Sequence, residues 1–389
     1  MTPPKTENSV QTILIKSHLF FFAKTIGIKK ISGGIGKIID SKNENKQRNF
    51  TEFLFFDTFN VLSIILKIRF LNFFMINYFL KLIIISFFLF LKYSIAENNQ
   101  ILLNEILPGI LLFYGENEEP NKINKGAIAN KVAIIGNKSI LVYDAGPSRQ
   151  FAERFIKELR KYSKKPIKYL VISHRHFDHA YGIEVYVKKK VTIFMDKTEY
   201  SFLKKEGPLI NNLLIKNLGF NEDNINFDNI SDEKINFLDD SIEVNLGNRR
   251  VLIKNLGIAH TKGDLIAYDF NTKTYITGDI IFIGRAAAFS DANIPMWINV
   301  INNKLDLSWD YLIPGHGRII KSKMKLNDTK NWLYFVDNSI KHPISEGDMI
   351  LEIFQYPIPK EIHHLKMKSI TLRQSIKKQL NLYRKKYIE

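Results

Sequence analysis

Residues 167–179 read IKYLVISHRHFDH, an apolar strand pattern that runs directly into three histidines and an aspartate. Burying these polar side chains at a strand end is costly unless a partner compensates them, and a divalent metal ion is such a partner. Alternate residues of an extended chain point the same way. His174 and His176 can therefore face one ion, while Asp178 and His179, at the start of the next helix, face a second. The stretch predicts a metal site at a strand end.

The same arrangement recurs at three later strand ends, where one ligand-type residue follows the strand beside a glycine. These residues are His260 after a strand predicted at 251–256, Asp279 after 273–277 and His316 after 311–313. Glycine lets the backbone of such a turn come close to its neighbours. A single buried histidine is more often a satisfied core residue, but four such strand ends in one chain indicate a shared metal centre.

Strand and helix patterns alternate from about residue 106 to residue 321, with hairpin turn residues at Gly136-Asn137 and Gly247-Asn248. This alternation indicates an α/β fold in which two sheets pack together and helices lie outside. The helices predicted in this part are 148–162, 196–205 and 295–305. After Lys321 the strand patterns stop, and the later helical patterns are 327–339, 345–354 and 366–387. We therefore predict a domain at 97–321 and a helical C-terminal region at 322–389.

The composition limits the chemistry that is available to the chain. The absence of cysteine excludes disulfides, thiol catalysis and thiolate ligation of zinc, so histidines and carboxylates must hold any metal. The formal net charge is +17, which by itself favours nucleic acid as a partner. Lysine is frequent along the whole chain, however, so we attribute much of the charge to composition and not to a dedicated binding stripe. We expect a small-molecule substrate and no nucleic acid.

The N-terminal part has the order of regions found in a signal peptide. Met75–Lys81 is short and basic, Leu82–Leu91 is apolar, and Ser94-Ile95-Ala96 places small residues where a signal peptidase cleaves. We interpret 75–96 as a signal peptide and 1–74 as an upstream extension from a start assigned too early. The alternative is an uncleaved membrane anchor, which is the only membrane contact expected. Both interpretations place the catalytic part in the periplasm.

The motif H-x-H-x-D-H, followed by His, Asp and His, resembles the signature of the metallo-β-lactamase superfamily over about 107–321. The resemblance implies a four-layer αββα sandwich with two zinc ions. It implies that His174, His176 and His260 bind the first zinc and that Asp178, His179 and His316 bind the second. Asp279 would bridge the two ions. True β-lactamases of this superfamily resemble one another in having Cys or Ser at the bridging position, so the aspartate favours the general hydrolase branches.

A narrower resemblance links the chain to the quinoprotein relay system zinc metallohydrolases, which are exported proteins associated with quinone-cofactor dehydrogenases. The residues that carry it are Glu105–Gly109, Glu116–Lys131, Gly284-Arg285 and Trp297–Leu305. A quinoprotein dehydrogenase is therefore an expected partner.

The implied reaction is attack of zinc-activated hydroxide on the carbonyl of an ester, thioester or lactam-like substrate. Asp178 would orient the hydroxide and move a proton. Asp144 and Asp264 are candidates for fixing the imidazole tautomers, and Arg285 for contacting an anionic group of the substrate. Two alternatives stay open: a phosphodiesterase or nuclease of the same superfamily, and a non-catalytic metal-binding accessory protein of a quinoprotein.

Overall fold

Twelve strands between residues 104 and 313 form two sheets in the computed structural model, which describes residues 44–97, 101–220, 224–346 and 356–387. The chain divides into two compact units, residues 1–99 and residues 100–389.

The described part of the first unit is one helix, α1 (Glu44–Glu97). Its segment Leu62–Phe88 is apolar and exposed, and within the described residues this is the one helix that is both long enough and apolar enough to cross a membrane. Length and composition suit a membrane span and a signal sequence equally. The helix begins well upstream of Met75, so 75–96 is the last part of a longer helix. Cleavage of 75–96 stays a prediction.

The first sheet of the second unit has seven strands in sequence order. They are β1 (Asn104–Leu107), β2 (Ile110–Phe113), β3 (Lys131–Ile135), β4 (Ile140–Tyr143), β5 (Ile167–Val171), β6 (Thr192–Met195) and β7 (Ile235–Phe237). Pairing is antiparallel from β1 to β4 and parallel from β4 to β7, because helices connect the later strands. These helices are α2 (Arg149–Tyr162), α3 (Phe177–Ala180), α4 (Ile183–Lys188) and α5 (Lys197–Leu218).

The second sheet has five strands, in the order β12, β11, β10, β9, β8. They are β8 (Ser241–Asn245), β9 (Arg250–Asn255), β10 (Leu265–Asp269), β11 (Thr274–Ile276) and β12 (Tyr311–Ile313). Only β11 and β12 pair in parallel, and helix α6 (Ile294–Asn303) lies in the connection between them. At the predicted hairpin turn between β8 and β9, Gly247 and Asn248 both have positive φ, as a tight hairpin requires.

Strand β4 shows why the sheets form inner layers. Its side chains alternate between two cores: Ile140 and Val142 pack with the helices, whereas Leu141 and Tyr143 pack between the two sheets. A third core lies between the second sheet and helices α6, α7 (Asn327–Glu346) and α8 (Lys368–Tyr387). The layers therefore run helix, sheet, sheet, helix, and the predicted four-layer sandwich is confirmed.

Helix α5 is longer than the predicted 196–205. It begins at the N-cap Asp196, whose side chain accepts from two backbone N–H groups, and ends at Gly219 in the left-handed conformation. Pro208 lies inside it, where a proline removes one backbone donor. The helix continues because a buried stripe extends past the proline: Leu203, Gly207, Asn211, Leu214 and Leu218.

The predicted helical C-terminal region is present as α7 and α8. Trp332 of α7 is fully buried and its indole Nε1 donates to the carbonyl of Ala287 at 2.9 Å. Ile376 of α8 shares a core with Phe282, which follows the second sheet. These helices therefore form the outer layer over the second sheet. The helix predicted at 345–354 falls almost entirely on 347–355, which lies outside the described residues.

Candidate metal centre

The loops after β4 and β5 contribute one half of the site. Since β4 and β5 are parallel neighbours, Asp144 and the histidine motif leave the sheet at the same edge. His174 and His176 lie in the loop after β5, and His176 occupies the residue before helix α3. Asp178 and His179 are in the first turn of that short helix, where both side chains are buried.

The second sheet contributes the other half. His260 follows β9, Asp279 lies in a single 3₁₀ turn at Gly278–Ile280, and His316 follows β12. Only glycine fits at position 315, because a Cβ there would lie 2.1 Å from Oδ1 of Asp279. The loops that carry Asp279 and His316 are therefore in close contact, and Gly315 N donates to the carbonyl of Gly278 at 2.7 Å.

His174, His176, His260 and Asp279 form the first group of donors, which lie within 4.8 Å of one another. His176 Nδ1 lies 2.9 Å from His174 Nε2 and 3.2 Å from His260 Nε2. Asp279 Oδ2 lies 3.4 Å from His260 Nε2 and 3.8 Å from His174 Nε2. Imidazole nitrogens so close together repel through their lone pairs unless a proton or a metal ion lies between them.

Asp178, His179 and His316 form the second group. Asp178 Oδ2 lies 3.4 Å from His316 Nε2 and 3.5 Å from His179 Nε2. The other oxygen of Asp279 faces this group: Oδ1 lies 3.1 Å from His179 Nε2 and 3.3 Å from His316 Nε2. One carboxylate thus faces both groups, each through its own oxygen.

In four of these histidines, one ring nitrogen (the inner nitrogen) faces the centre. The other, the outer nitrogen, contacts an oxygen atom. The four contacts are His174 Nδ1 to Ser173 Oγ at 3.0 Å, His176 Nε2 to Asp291 Oδ2 at 2.8 Å, His179 Nδ1 to Asp144 Oδ2 at 2.7 Å and His316 Nδ1 to the Ile128 carbonyl at 2.8 Å. A proton on each outer nitrogen leaves a lone pair on each inner one. His260 differs, since its ring packs edge-on against Trp297.

The donor spacing fits metal ions. A tetrahedral ion with donors at 2.0–2.1 Å separates those donors by about 3.3 Å, and the donor pairs here are 2.9 to 3.8 Å apart. His179 Nε2 and Asp279 Oδ1 are buried without a hydrogen-bond partner of good geometry in the described part of the chain. Leaving such atoms unsatisfied costs about 1–3 kcal/mol each, which an ion between them would remove.

Burial and neighbouring charge set the protonation states of the centre. Burial lowers the pKa of His260 to about 3 and that of His174 well below its ordinary value. Burial also opposes a charge on His179, but the carboxylates, Asp279 foremost, raise its pKa to about 10. Burial would raise the pKa of Asp279, yet the imidazoles of His179 and His316 hold it well below its ordinary range. His179 is therefore protonated beside the ionised carboxylates, and a bound cation would displace that proton, because a metal-binding imidazole must be neutral.

Asp144 lies behind the centre, next to His179. Its Oδ2 accepts from His179 Nδ1 at 2.7 Å and from Ser173 Oγ at 3.0 Å, and its Oδ1 accepts from Ser173 N at 2.8 Å. The residue has a φ of 65°, a left-handed conformation that is strained for any residue with a side chain. Such strain costs about 1–3 kcal/mol and is typical of functional sites.

The other two residues predicted around the centre have different surroundings. Asp264 accepts from the backbone N and the hydroxyl of Thr261, both at 2.8 Å, so it supports the loop after His260 and contacts no imidazole nitrogen. Arg285 is buried, with Nη1 3.4 Å from Nδ1 of His316, the outer nitrogen. Arg285 therefore lies behind a histidine of the centre. Its contact with a substrate stays a prediction.

Sequence reasoning missed two acidic residues of the site. Asp291 contacts His176, and it lies in a turn with no strand before it, so its position gave no signal. Glu199 is completely buried and joins two loops of the centre: Oε2 accepts from Arg175 N at 3.1 Å, and Oε1 accepts from Lys262 N at 2.9 Å. An acidic residue one turn into an amphipathic helix resembles any surface residue in sequence.

Comparisons with known proteins agree with this architecture. The sequence profile of the metallo-beta-lactamase superfamily matches residues 127–316, a segment that contains all seven donors. Among curated proteins, the linear primary-alkylsulfatase of Pseudomonas sp. (strain ATCC 19151) is 28% identical over 89 residues, which are 21% of this chain and 17% of that protein. The chain thus matches a small part of this relative.

Two solved structures also match part of this chain. A metallo-beta-lactamase from Pontibacter korlensis is 14% identical, with 60% of this chain and 99% of that chain covered and a TM-score of 0.49. The DIM-1 metallo-beta-lactamase is 16% identical, with 60% and 97% covered and a TM-score of 0.46. The profile match, the two-sheet sandwich and the seven converging donors lead to one conclusion. Residues 127–316 of this chain form a metallo-beta-lactamase superfamily domain.

Proposed function

We propose that the chain is a zinc-dependent hydrolase that binds two ions. The observation that carries the proposal is that the two oxygens of the Asp279 carboxylate face different donor groups. One oxygen lies 3.4 Å from His260 Nε2 and the other 3.1 Å from His179 Nε2. A carboxylate in this position suits a bridge between two ions. Imidazole and carboxylate donors without thiolate suit zinc.

His174, His176 and His260 would hold the first ion and Asp178, His179 and His316 the second, with Asp279 shared. When bound, a zinc pair lowers the pKa of water toward neutrality and withdraws charge from a substrate carbonyl. The chain's own contribution is to fix the donors. Outer-nitrogen contacts set the tautomers of four histidines, and burial keeps bulk water from weakening the electrostatic interactions.

Asp178 is the residue that we assign to proton movement. The Asp178 carboxylate faces only one donor group, through Oδ2, whereas Asp279 faces both groups. Asp178 therefore contacts fewer donors of the centre than Asp279 does. It remains ionised because the imidazoles of His179 and His316 outweigh the effect of burial and lower its pKa. An ionised carboxylate can accept a proton from an attacking water and pass it to the leaving group.

A small substrate with a reactive carbonyl suits the surroundings of the centre. The side chain of His176 is 25% exposed, which makes it the most accessible of the seven donors. A cavity of about 150 Å³ lies among residues that follow His260 and Asp291 in sequence, with apolar walls from Ile294, Pro295 and Leu382 and a cation from Lys262. A substrate with an apolar portion and an anionic group would suit this lining.

A phosphodiesterase is the second candidate, because the bridging aspartate is the feature that separates this chain from dedicated β-lactamases. The partial match to a linear primary-alkylsulfatase adds sulfate esters to the substrates worth testing. We also propose export to the periplasm and association with a quinoprotein dehydrogenase. The helix α1 and the resemblance over Glu105–Gly109 and Trp297–Leu305 support these two proposals. The same resemblance supports, as the non-enzymatic alternative, a metal-binding accessory protein.

Parallel assays on one preparation separate these candidates. The full chain, purified in a mild detergent and loaded with zinc, would be offered a lactam, a thioester, a carboxylate ester, bis-p-nitrophenyl phosphate and a linear primary alkyl sulfate. We expect turnover of a carbonyl substrate that Asp178→Asn reduces by at least 100-fold, within the range for a lost general acid–base group. Turnover of the phosphodiester alone would favour the second candidate. Zinc binding without turnover of any compound would favour the accessory protein.

A further inference from the structure

The turn that carries Asp291 connects the metal centre to the C-terminal helix. Asp291 Oδ2 accepts from His176 Nε2 at 2.8 Å and also pairs with Nη2 of Arg175 at 3.1 Å. Its Oδ1 accepts from Nζ of Lys378, which belongs to α8. One carboxylate thus contacts a donor of the centre, the residue before that donor, and a helix almost ninety residues later.

The next residue of α8, Gln379, holds the backbone of the same turn. Gln379 is 1% exposed, and its Nε2 donates to the carbonyls of Phe289 at 2.6 Å and Ala292 at 2.9 Å, on either side of Asp291. Ser375, one helical turn earlier, accepts from Phe289 N at 3.5 Å. Consecutive residues of α8 therefore hold the Asp291 side chain and the backbone around it.

His176 needs this support more than the other donors do. It uses Nδ1 toward the centre, so its proton must lie on Nε2, and a carboxylate, which only accepts, selects that tautomer. The ring is also the most exposed of the seven donors, at 25%, and is therefore the least restrained by packing. Without Asp291, the ring could rotate or change tautomer, and the first donor group would lose one of its three histidines.

We propose that Asp291 is a positioning residue for His176, and that α8 sets Asp291 through Lys378 and Gln379, so that the C-terminal helix is part of the first metal site. This inference rests on the proposed two-metal function. It assigns α8 a role that the helix layer of the sandwich does not by itself require.

The test measures zinc bound per full-length chain in detergent, at a series of buffered free-zinc concentrations, starting from metal-free protein. We expect Asp291→Ala to weaken one site by about 10–100-fold, as the loss of an outer-shell partner does, and to leave the other unchanged. Asp291→Asn keeps an acceptor oxygen and should recover part of the loss. Gln379→Ala, which frees the turn without touching His176, should weaken the same site.

Two matched variants show which site has changed. Asp144→Ala removes the partner of His179 and should weaken the other site, so that Asp144→Ala combined with Asp291→Ala weakens both. Lys377→Ala alters the exposed lysine next to Lys378 and should bind zinc as the wild type does. Circular dichroism of each metal-free variant checks folding, and Gln379→Ala with Asp291→Asn carries the test should Asp291→Ala fail to fold.

Wild-type affinity at both sites in Asp291→Ala and Gln379→Ala would overturn the inference, and so would an equal loss at both sites in Asp291→Ala with its folding intact. A wild-type chain that binds no zinc would instead overturn the proposed function, which keeps the two failures distinguishable.

Discussion

Oδ1 of Asp279 lies 3.1 Å from Nε2 of His179, although His179 follows a strand of the first sheet and Asp279 a strand of the second. Both atoms are buried, and neither has a hydrogen-bond partner of good geometry in the described part of the chain. The packing of the two sheets thus brings an unsatisfied acceptor and an unsatisfied imidazole nitrogen together. The contact therefore joins the two sheets at the site proposed to bind the two ions.

Asp279→Asn should weaken zinc binding at both sites while changing the stability of the metal-free chain much less. The asparagine keeps the size of the side chain but loses the negative charge and one of the two acceptor oxygens, whereas apolar packing holds the strand before it. Zinc content after dialysis against a chelator measures the effect. Asp310→Asn, at an exposed aspartate, is the matched control and should retain zinc. Unchanged content in Asp279→Asn would show that Asp279 is not the bridge.

Zinc should raise the thermal stability of the chain, because an ion that binds only the folded state stabilises it. At a free concentration 100 times Kd, one site contributes about 2.7 kcal/mol, which corresponds to several degrees in a domain of this size. Differential scanning calorimetry with zinc and with a chelator measures the shift, and magnesium at the same concentration is the control. Equal melting temperatures in zinc and chelator would contradict a folded-state zinc site.

Much of the centre could be predicted from sequence because ligand-type residues follow directly after strands. His174, Asp279 and His316 lie at such places, and the packing of two sheets brings the strand ends together. The alternation of strand and helix patterns indicated two packed sheets with helices outside, and the four-layer αββα order was what the family resemblance implied. The full length of helix α1 was less predictable, because the sequence upstream of Met75 has no amphipathic period that would mark a helix.

Contacts between residues far apart in sequence could not be predicted. Asp291 acts from a turn and Glu199 from the first turn of a helix, and in neither case does spacing along the chain indicate a partner 24 or 115 residues away. The sequence also predicts too early an end for α5. The helix continues because burial of one helix face outweighs the local effect of Pro208. The contact of Asp264 with the backbone N of Thr261, within the loop after His260, likewise has no signal in the sequence.

Trp332→Ala should destabilise the chain by about 3–5 kcal/mol, the usual cost of removing a fully buried tryptophan. The substitution leaves a cavity between α7 and the second sheet and frees the carbonyl of Ala287. Denaturant unfolding followed by circular dichroism measures the loss. Tyr334→Ala, at a side chain 42% exposed on the same helix, should change stability by less than about 0.5 kcal/mol. Equal effects of the two substitutions would mean that α7 is not part of the core.

The native protein should begin at Glu97. The basic, apolar and small-residue regions of Met75–Ala96 follow the order that a signal peptidase recognises. N-terminal sequencing or mass spectrometry of protein isolated from its own cells measures this directly. An intact 75–96 segment in the membrane fraction would instead establish an anchor, and peptides from 1–74 would show that the upstream extension is made.

The zinc content of the purified full chain tests the central claim most directly. After supplementation with zinc and removal of excess metal, elemental analysis should give close to two zinc ions per chain. His176→Ala should lower this content, because it removes a donor of the first group. A wild-type chain that retains no transition metal after the same treatment would contradict the two-metal centre.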